Sequence, residues 1–189
     1  MSHLSMTPER TALVAIDLQN GIVSMPTAPY SATEVVEKNR RIADALRAKG
    51  GLVVWVRVNM NRFVHLPVDE PSPLAGKQVP EELSLIAASA GRVESDLLIT
   101  KHHWGAFAGT PLEQELRNHG IDTVVLTGIS TNVGVESTLR QGTGLGFAFV
   151  VVEDACSAQD VAEHRHSVEK IFPRLARVSS AAKVIEALG

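Results

Sequence analysis

The chain has 189 residues and a formal net charge of -3, with 44% hydrophobic and 21% charged residues. This length fits one domain over residues 1–189 that buries a sizeable core without disulfides. The charge gives no basic surface for nucleic acid or for a membrane, and no apolar run is long enough to span a bilayer. The single cysteine, Cys156, and the lack of an apolar signal segment favour a reducing compartment, so we expect a cytoplasmic protein.

Six apolar runs along the chain have the length and composition of buried strands. They predict strands at 11–16, 52–58, 97–100, 123–127, 147–152 and 177–178. The segments between most of them have helical patterns, and alternating strands and helices favour parallel pairing through right-handed crossovers. Because the runs are continuously apolar, we expect both faces of the sheet to be covered.

Capping signals set the boundaries of the predicted helices. Ser31 and Glu34 form a capping box that opens a helix, and Gly50 stops it. Thr110 is a predicted N-cap, with Pro111 at the first helical position and Glu113 completing a second capping box. The predicted helices are 31–49, 110–120, one from about 132, 160–171 and 181–188.

The segment 59–80 is long and irregular and contains four prolines. These features indicate a lid, a pocket wall or a contact between subunits. Its apolar side chains would be costly to leave in water, and they include Met60, Phe63, Val64 and Leu66. Since symmetric homo-oligomers are the common solution, we expect a dimer or larger assembly over a lid.

Unusual polar positions follow three of the predicted strands. Asp17 follows the first, Lys101 the third, and the glycine-containing loop 128–134 the fourth. In an open parallel sheet, ligands bind beyond the carboxyl ends of the strands. Singly, an aspartate there is often a turn former and a lysine a solvated charge. Together they place an acid beside a cation, which is a candidate site for proton transfer.

Gly134 lies near the start of the helix after the fourth strand. A glycine there often only allows close packing of the backbone. Its amide nevertheless belongs to the first helical turn, where unpaired N–H groups and the helix dipole favour negative charge. An anion or a polarised oxygen is therefore a candidate ligand of this position.

Several segments in this order resemble the isochorismatase-like cysteine hydrolases. They are 12–19, Lys101 with 104–107, the loop 127–138, 154–156 and 176–178. The resemblance implies a three-layer α-β-α fold around a six-stranded, mostly parallel sheet in the Rossmann-like order 3-2-1-4-5-6. That order makes the first and fourth strands neighbours, so the three loops converge.

The resemblance also implies roles for individual residues. Asp17 and Lys101 match two members of the family's catalytic triad, and Gly134 stands where most members carry the nucleophilic cysteine. Glycine cannot form a covalent acyl intermediate. The backbone N–H groups of Ser130 and Gly134 correspond to the oxyanion hole, and the peptide between Ile129 and Ser130 corresponds to a cis bond of the loop.

Similarity to true isochorismatases, which also carry glycine at this position, implies the leading function. These enzymes hydrolyse a vinyl ether to pyruvate and a diol, which needs an acid and no thiol. Asp17 would be the acid and Lys101 its electrostatic partner in a hydrolase for a small anionic metabolite. The loop itself is more like that of the cysteine hydrolases. The alternatives are a catalytically silent binding or assembly protein, and an amidohydrolase whose cysteine has been replaced.

Other residues have weaker signals. Gln19, Asn59, Arg62, Trp104 and Phe107 are candidate substrate-binding residues, with ordinary packing as the alternative. Cys156 is expected to be a small core residue and not a displaced nucleophile. We expect no cofactor and no metal, because the segment 59–63 lacks the Asp/His cluster of the related nicotinamidases.

Overall fold

A single sheet of six parallel strands organises the computed structural model, which describes residues 4–189. The strand order is β3-β2-β1-β4-β5-β6, and every pairing between these strands is parallel, as expected. The strands are β1 Thr11–Ile16, β2 Leu52–Val58, β3 Leu97–Lys101, β4 Thr123–Ile129, β5 Ala148–Ser157 and β6 Arg177–Ser179.

Helices cover both faces of this sheet. The α-helices are α1 Asn20–Val23, α2 Ala32–Ala48, α3 Leu112–Asn118, α4 Glu136–Gly144, α5 Val161–His166 and α6 Ala181–Ala187. Two π-helical turns, Thr131–Val135 and Ser167–Ile171, precede α4 and follow α5. Short 3-10 turns lie at Pro8–Arg10, Glu81–Ser84, Ala88–Ala90 and Phe172–Arg174. No helix among these residues is both long and apolar enough to cross a membrane.

The alternation of side chains along the strands divides the core into two layers. Ile16 and Leu126 face the layer formed with α3 and α4, which contribute Leu116 and Leu139. Leu13, Ala15 and Val125 face the opposite layer, formed with α2 and α6. Both faces of the central strands are therefore buried, which is why these strands have continuous apolar runs.

The capping predictions have different outcomes for α2 and α3. At α2, the Ser31 hydroxyl accepts a hydrogen bond from the Glu34 amide, and the Glu34 carboxylate accepts one from the Ser31 amide. At α3 the capping box predicted from Thr110 is wrong. The helix begins at Leu112, and the Glu113 carboxylate pairs with Arg117 one turn later. Arg117 provides a stronger, charged donor than a backbone amide.

Two segments differ most from their predicted extents, and a third is irregular as predicted. β5 continues to Ser157, five residues beyond the predicted end, after a register shift against β4. The predicted helix 160–171 divides into α5 and a π-helical turn. The segment 59–80 is irregular, and the Asn61 carboxamide closes it by hydrogen bonds to the amide and carbonyl of Val79.

Candidate active site

The carboxyl ends of β1 and β3 bring two charged side chains together. Asp17 follows β1, Lys101 ends β3, and the Lys101 Nζ lies 2.8 Å from the Asp17 Oδ2. Both side chains are buried, with 9% of the aspartate side chain and 2% of the lysine side chain exposed. Burial of an ion pair costs desolvation energy, so a pair of this kind at a sheet edge is a candidate for function.

The backbone of Asp17 turns sharply as it leaves the strand. Its φ is 55°, in the left-handed region that few residues other than glycine adopt. Its amide still donates to the Val56 carbonyl at 2.8 Å, so β1 remains bonded to β2 up to the turn. Aspartate is among the few residues that tolerate this conformation, and unusual backbone conformations cluster at functional sites.

Lys101 uses all of its hydrogen-bonding capacity within the protein. The ammonium group donates to the Asp17 carboxylate, to the Trp104 carbonyl at 2.9 Å and to the His103 carbonyl at 3.2 Å. A lysine ammonium has three N–H donors, and three protein acceptors surround this one. Lys101 therefore has no N–H donor left for direct binding of a ligand.

The second oxygen of Asp17 has no such partner. Its Oδ1 is buried and forms no hydrogen bond with residues 4–189. Burial raises the pKa of Asp17 above the ordinary value, although the charge and hydrogen bond of Lys101 and the nearby backbone of Val58, whose amide donates to Gln19, act in the opposite direction. The carboxyl group can therefore keep its proton to a higher pH than an exposed aspartate and donate it from an oxygen that the protein does not use.

Gly134 lies next to this carboxyl group. A Cβ atom built on it would be 3.3 Å from the Asp17 Oδ2, 3.6 Å from the Trp104 carbonyl oxygen and 2.9 Å from the Ile16 Cγ2. A side chain at position 134 would therefore point into the space beside the Asp17–Lys101 pair. The backbone of Gly134 is outside the left-handed region, so its conformation does not require glycine. The glycine instead lets the loop pack tightly against Ile16 and Asp17, because a Cβ atom would come too close to the Ile16 side chain.

The loop between β4 and α4 carries the predicted backbone donors. It contains a cis peptide between Ile129 and Ser130 and then the π-helical turn Thr131–Val135. The Ser130 carbonyl accepts hydrogen bonds from the amides of Val133 and Val135, which closes the turn. This loop brings Gly134 to Asp17, and the oxyanion-hole role of the Ser130 and Gly134 amides stays a prediction.

The five candidate substrate-binding residues lie in different environments. Gln19 is fully buried, and its carboxamide bonds to the backbone of Val58 and Leu83. Phe107 is buried in the core and stacks on Phe147 at 5.9 Å. Because Gln19 and Phe107 are held by packing and internal hydrogen bonds, the structure gives them a supporting role and no surface for a ligand. Trp104, in contrast, is 57% exposed.

Two cavities adjoin the segment 59–80. One has a volume of about 420 Å³ and is lined by His103 and Trp104 together with residues of 63–75. The other, of about 480 Å³, is polar and is lined by residues that include Arg57, Asn59 and Arg62. The candidates Asn59 and Arg62 therefore share one cavity, while Trp104 belongs to the other, beside the carbonyls that hold Lys101.

Sequence reasoning missed the backbone carbonyls of His103 and Trp104 as ligands of Lys101. Carbonyl groups are common to all residues, so no side-chain pattern could reveal them. Cys156 is fully buried in β5, and burial raises the pKa of its thiol far above the ordinary value. Within residues 4–189, no three His, Cys, Asp or Glu side chains form a group that could hold a metal ion.

Comparisons with known proteins agree with this architecture. A family model described as the isochorismatase domain matches residues 11–183. The uncharacterized isochorismatase family protein YecD of Escherichia coli O157:H7 is 46% identical over 189 residues, which cover 98% of this chain and 100% of YecD. The ureidoacrylate amidohydrolase RutB of Klebsiella pneumoniae is 33% identical over 177 residues, covering 80% of this chain and 75% of RutB.

A solved structure has nearly the same fold over the whole chain. It is an isochorismatase family protein from Burkholderia thailandensis, with a TM-score of 0.93, 41% identity and 99% of each chain covered. The family model spans most of the sequence, and both the sequence and the structural similarity extend from one end to the other. The chain therefore belongs to the isochorismatase family of hydrolases.

Proposed function

We propose that this protein hydrolyses a small anionic vinyl ether of the isochorismate type, with Asp17 as the proton donor and no covalent enzyme intermediate. One observation carries the proposal: the buried Asp17 carboxyl has one oxygen on Lys101 and the other without a hydrogen bond among the described residues, with the backbone of Gly134 next to it. This arrangement provides an acid, and it provides no nucleophile at position 134.

The first step is transfer of the Asp17 proton to the terminal carbon of the enol ether. The π electrons form the new C–H bond, and the adjacent carbon becomes an oxocarbenium ion. Asp17 becomes a carboxylate, and the negative charge appears 2.8 Å from the Lys101 ammonium. Since the lysine is already held by two carbonyls, it stabilises this charge without reorganisation.

Water completes the reaction. Its oxygen attacks the oxocarbenium carbon and loses a proton, which gives a hemiketal and restores the neutral Asp17. The hemiketal then breaks its C–O bond to the ring, with a proton passing to the leaving oxygen. The products are pyruvate and the diol acid. The backbone amides of Ser130 and Gly134 are suitable donors for the oxygen atoms of the substrate at the first turn of the helix.

Two features of the chain support an anionic substrate. The turn Thr131–Val135 presents backbone N–H groups, and helix N-terminal segments favour negative charge. The polar cavity beside the segment 59–80 has two arginines, Arg57 and Arg62, and one acid, Glu81, in its lining, so a ligand that extends into it would meet net positive charge. The Nε of Arg57 donates to the Thr100 hydroxyl at 3.0 Å, which fixes the guanidinium group at the end of the sheet.

Amide hydrolysis is a second candidate, and it rests on the similarity to RutB, which is named as a ureidoacrylate amidohydrolase. In that case water would replace the missing thiol as the nucleophile. A third candidate is a catalytically silent protein that binds a ligand in the same space. Both use the same site. The amidohydrolase would break the C–N bond of an amide, and the silent protein would break no bond.

Incubation of the purified protein with isochorismate, beside ureidoacrylate and a panel of simple amides, separates these candidates. We expect the protein to release pyruvate from isochorismate, and we expect the Asp17→Asn variant to release none. Ammonia release from an amide with no pyruvate from isochorismate would replace the leading proposal by amide hydrolysis. Saturable binding without turnover of any compound would support the silent binding protein.

A further inference from the structure

A buried hydrogen bond connects the active-site loop to a histidine outside the site. The hydroxyl of Thr131 lies 2.8 Å from the Nδ1 of His164. Thr131 is fully buried and directly follows Ser130, and His164 in α5 is only 4% exposed. A buried hydroxyl and a buried imidazole each need a partner, and here each provides it for the other.

The other side of the imidazole faces a second polar group. The Nε2 of His164 lies 4.0 Å from the Glu153 Oε2, on β5. The same carboxylate oxygen accepts a hydrogen bond from the Tyr30 hydroxyl at 3.1 Å, and the Tyr30 ring meets the imidazole edge-on at 5.9 Å. His164 is therefore held between β5 and Tyr30, which lies two residues before α2.

A second hydrogen bond joins the same two regions. The Ser167 hydroxyl donates to the Glu136 carboxylate at 2.7 Å. Glu136 begins α4 immediately after the turn that contains Gly134, and Ser167 begins the π-helical turn after α5. The two ends of the turn Thr131–Val135 are thus attached to α5 and its continuation, one through His164 and one through Ser167.

We infer that His164 is a positioning residue, which through Thr131 holds the loop 130–134 so that position 134 and the Ser130 amide face the Asp17–Lys101 pair. This inference rests on the proposed function only in that the loop lines the site. His164 contacts the hydroxyl of Thr131 and does not lie in either cavity beside the segment 59–80. Its effect on a ligand is therefore exerted through the loop.

The irregular backbone of this loop explains why it needs an external support. Thr131–Val135 is a π-helical turn, and π-helical turns are rare and occur often at functional sites. A catalytic arrangement must be held to about 0.5 Å, and side chains in supporting positions usually provide this precision. A turn attached at both ends can keep the Gly134 amide at a constant distance from Asp17.

The test uses a thiol placed at position 134 as a reporter of the loop, so it does not depend on turnover. In Gly134→Cys the new Cβ would lie 3.3 Å from the Asp17 Oδ2, once the Ile16 Cγ2 at 2.9 Å has shifted, so the pKa of the thiol should differ from the value of about 8.5 for a free cysteine. The pH dependence of alkylation by iodoacetamide gives that pKa. The midpoint reports the charges around the thiol and its burial, whereas access of the reagent changes the limiting rate and not the midpoint.

Two substitutions of His164 separate the hydrogen bond from the packing. In His164→Asn the carboxamide can occupy the position of Nδ1 and keep the bond to Thr131, whereas in His164→Gln it reaches the position of Nε2 and loses that bond. In the Gly134→Cys background, we expect His164→Gln to move the alkylation midpoint of the thiol toward about 8.5 by roughly half a pH unit or more. His164→Asn should leave it nearly unchanged.

A second pair of variants keeps the test decisive if a histidine variant fails to fold. Thr131→Val removes the hydroxyl at nearly constant volume, and Thr131→Ser keeps it, so only the first should move the midpoint. The exposed His119 at the end of α3 provides a matched control as His119→Gln. An identical thiol midpoint in Gly134→Cys alone and in its combinations with Thr131→Val and with Thr131→Ser would overturn the inference. Failure of the unmodified protein to release pyruvate from isochorismate, with the midpoint shifted as expected, would contradict only the proposed function.

Discussion

At the scale of single residues, the main feature is the unequal use of the two Asp17 oxygens. Lys101 engages Oδ2, whereas Oδ1 is buried without a hydrogen bond to the described residues. An unsatisfied buried oxygen costs stability, and proteins usually avoid it. Under the proposed function this oxygen delivers the proton to the substrate, while Lys101, with its donors fully used, holds Oδ2.

The acid role of Asp17 predicts a specific pH dependence. The rate should fall as pH rises through the pKa of Asp17, because only the protonated carboxyl donates. Burial raises that pKa, so the fall should lie above the ordinary value of 3.8. Steady-state kinetics against pH, with tryptophan fluorescence as a control for folding, measure this. A rate that increases with pH over the same range would make Asp17 a base.

Substitution of Asp17 should separate activity from stability. Asp17→Asn should lower turnover by at least about 10²-fold, since general acid catalysis contributes 10²–10⁴-fold. The carboxamide keeps the shape of the carboxyl and still offers an oxygen to Lys101, so the protein should remain folded, with a melting temperature lowered by loss of the charge beside the buried ammonium. Turnover and thermal denaturation of the same preparation test both parts, and retained turnover would remove Asp17 from the acid role.

Cys156 should not react under native conditions. Its thiol is fully buried in β5, and burial raises its pKa far above neutrality, so almost no thiolate is present. We expect no mass increase of the native protein after incubation with iodoacetamide or with an amide substrate. The same reagent in denaturant should add one alkyl group. A substrate-derived adduct on Cys156 in the native protein would indicate covalent catalysis.

At the scale of secondary-structure elements, the approach of β4 to β1 depends on Gly128. Its φ is 120°, and a Cβ atom there would lie 2.1 Å from the Ile16 carbonyl oxygen. No shift of a flexible side chain can relieve a collision with backbone. Gly128 also pairs with Cys156 just after the register shift between β4 and β5. The loop that carries Gly134 therefore begins from a glycine that no other residue can replace easily.

Two glycine substitutions compare this position with an open one. Gly128→Ala should lower the free energy of unfolding by about 3 kcal/mol or more, from backbone strain and the contact with Ile16. At Gly144, in α4, an added Cβ would meet nothing within 4 Å, and the backbone is outside the left-handed region. Gly144→Ala should therefore change stability by less than about 1 kcal/mol. Urea denaturation of both variants checks the difference, and equal effects would contradict it.

The packing of α2 against the residues just before β3 depends on a second buried carboxylate, that of Asp96. Asp96, with 2% of its side chain exposed, accepts hydrogen bonds from Arg47 of α2 and from the Trp55 indole of β2. Burial alone would raise the pKa of Asp96, but these hydrogen bonds outweigh it and the pKa is lower than usual. Its contribution to stability is therefore present above the ordinary pKa and is lost as pH falls through the lowered value.

Removal of the Asp96 carboxylate should lower the free energy of unfolding much more than removal of an exposed carboxylate. Asp96→Asn should destabilise by about 3 kcal/mol, because Arg47 loses a buried counter-charge. Asp122→Asn is the matched control. Asp122 pairs with Arg10, and both side chains are more than half exposed, so the free energy of unfolding should fall by less than about 1 kcal/mol. Chemical denaturation at neutral pH measures both. A smaller loss for Asp96→Asn than for Asp122→Asn would contradict the assigned role of Asp96.

The elements were predictable where local patterns and tertiary structure agree. The continuous apolar runs gave the six strands, and the Ser31–Glu34 capping box gave the start of α2. The extension of β5 to Ser157 was not predictable, since Glu153 and Asp154 interrupt the apolar pattern and their partners come from distant elements. The candidate site was predictable as far as Asp17 and Lys101. The Lys101 carbonyl ligands and the buried state of Gln19 depend on loop geometry, which has no sequence signature.

At the scale of the whole molecule, an apolar patch lies beside the candidate site. The exposed fractions are 42% for Val64, 68% for Leu66, 59% for Val68 and 57% for Trp104, and all four residues line one cavity. A clustered apolar surface of this kind marks a contact site more often than isolated apolar residues do. Since Trp104 also provides a carbonyl to Lys101, a second copy of the chain placed here would contact the edge of the site.

This patch predicts self-association. We expect light scattering at micromolar concentration to report at least a dimer, and Leu66→Glu to shift the protein toward monomer by placing a charge in the contact. Val161→Glu changes another exposed apolar residue, on α5, and should leave the assembly unchanged. A 20.3 kDa particle across all dilutions would exclude the contact and favour a lid over the site.

The strand order also has a consequence for how the chain acquires its structure. β1 lies between β2 and β4, and its residue Thr11 pairs with Thr123, far along the chain. During synthesis, β1, β2 and β3 can therefore assemble while one edge of β1 remains unpaired until β4 emerges. An uncovered apolar strand edge promotes association between chains, and pairings of high sequence separation form slowly. The arrangement that brings Gly134 to Asp17 thus leaves the nascent chain exposed to aggregation until its second half is made.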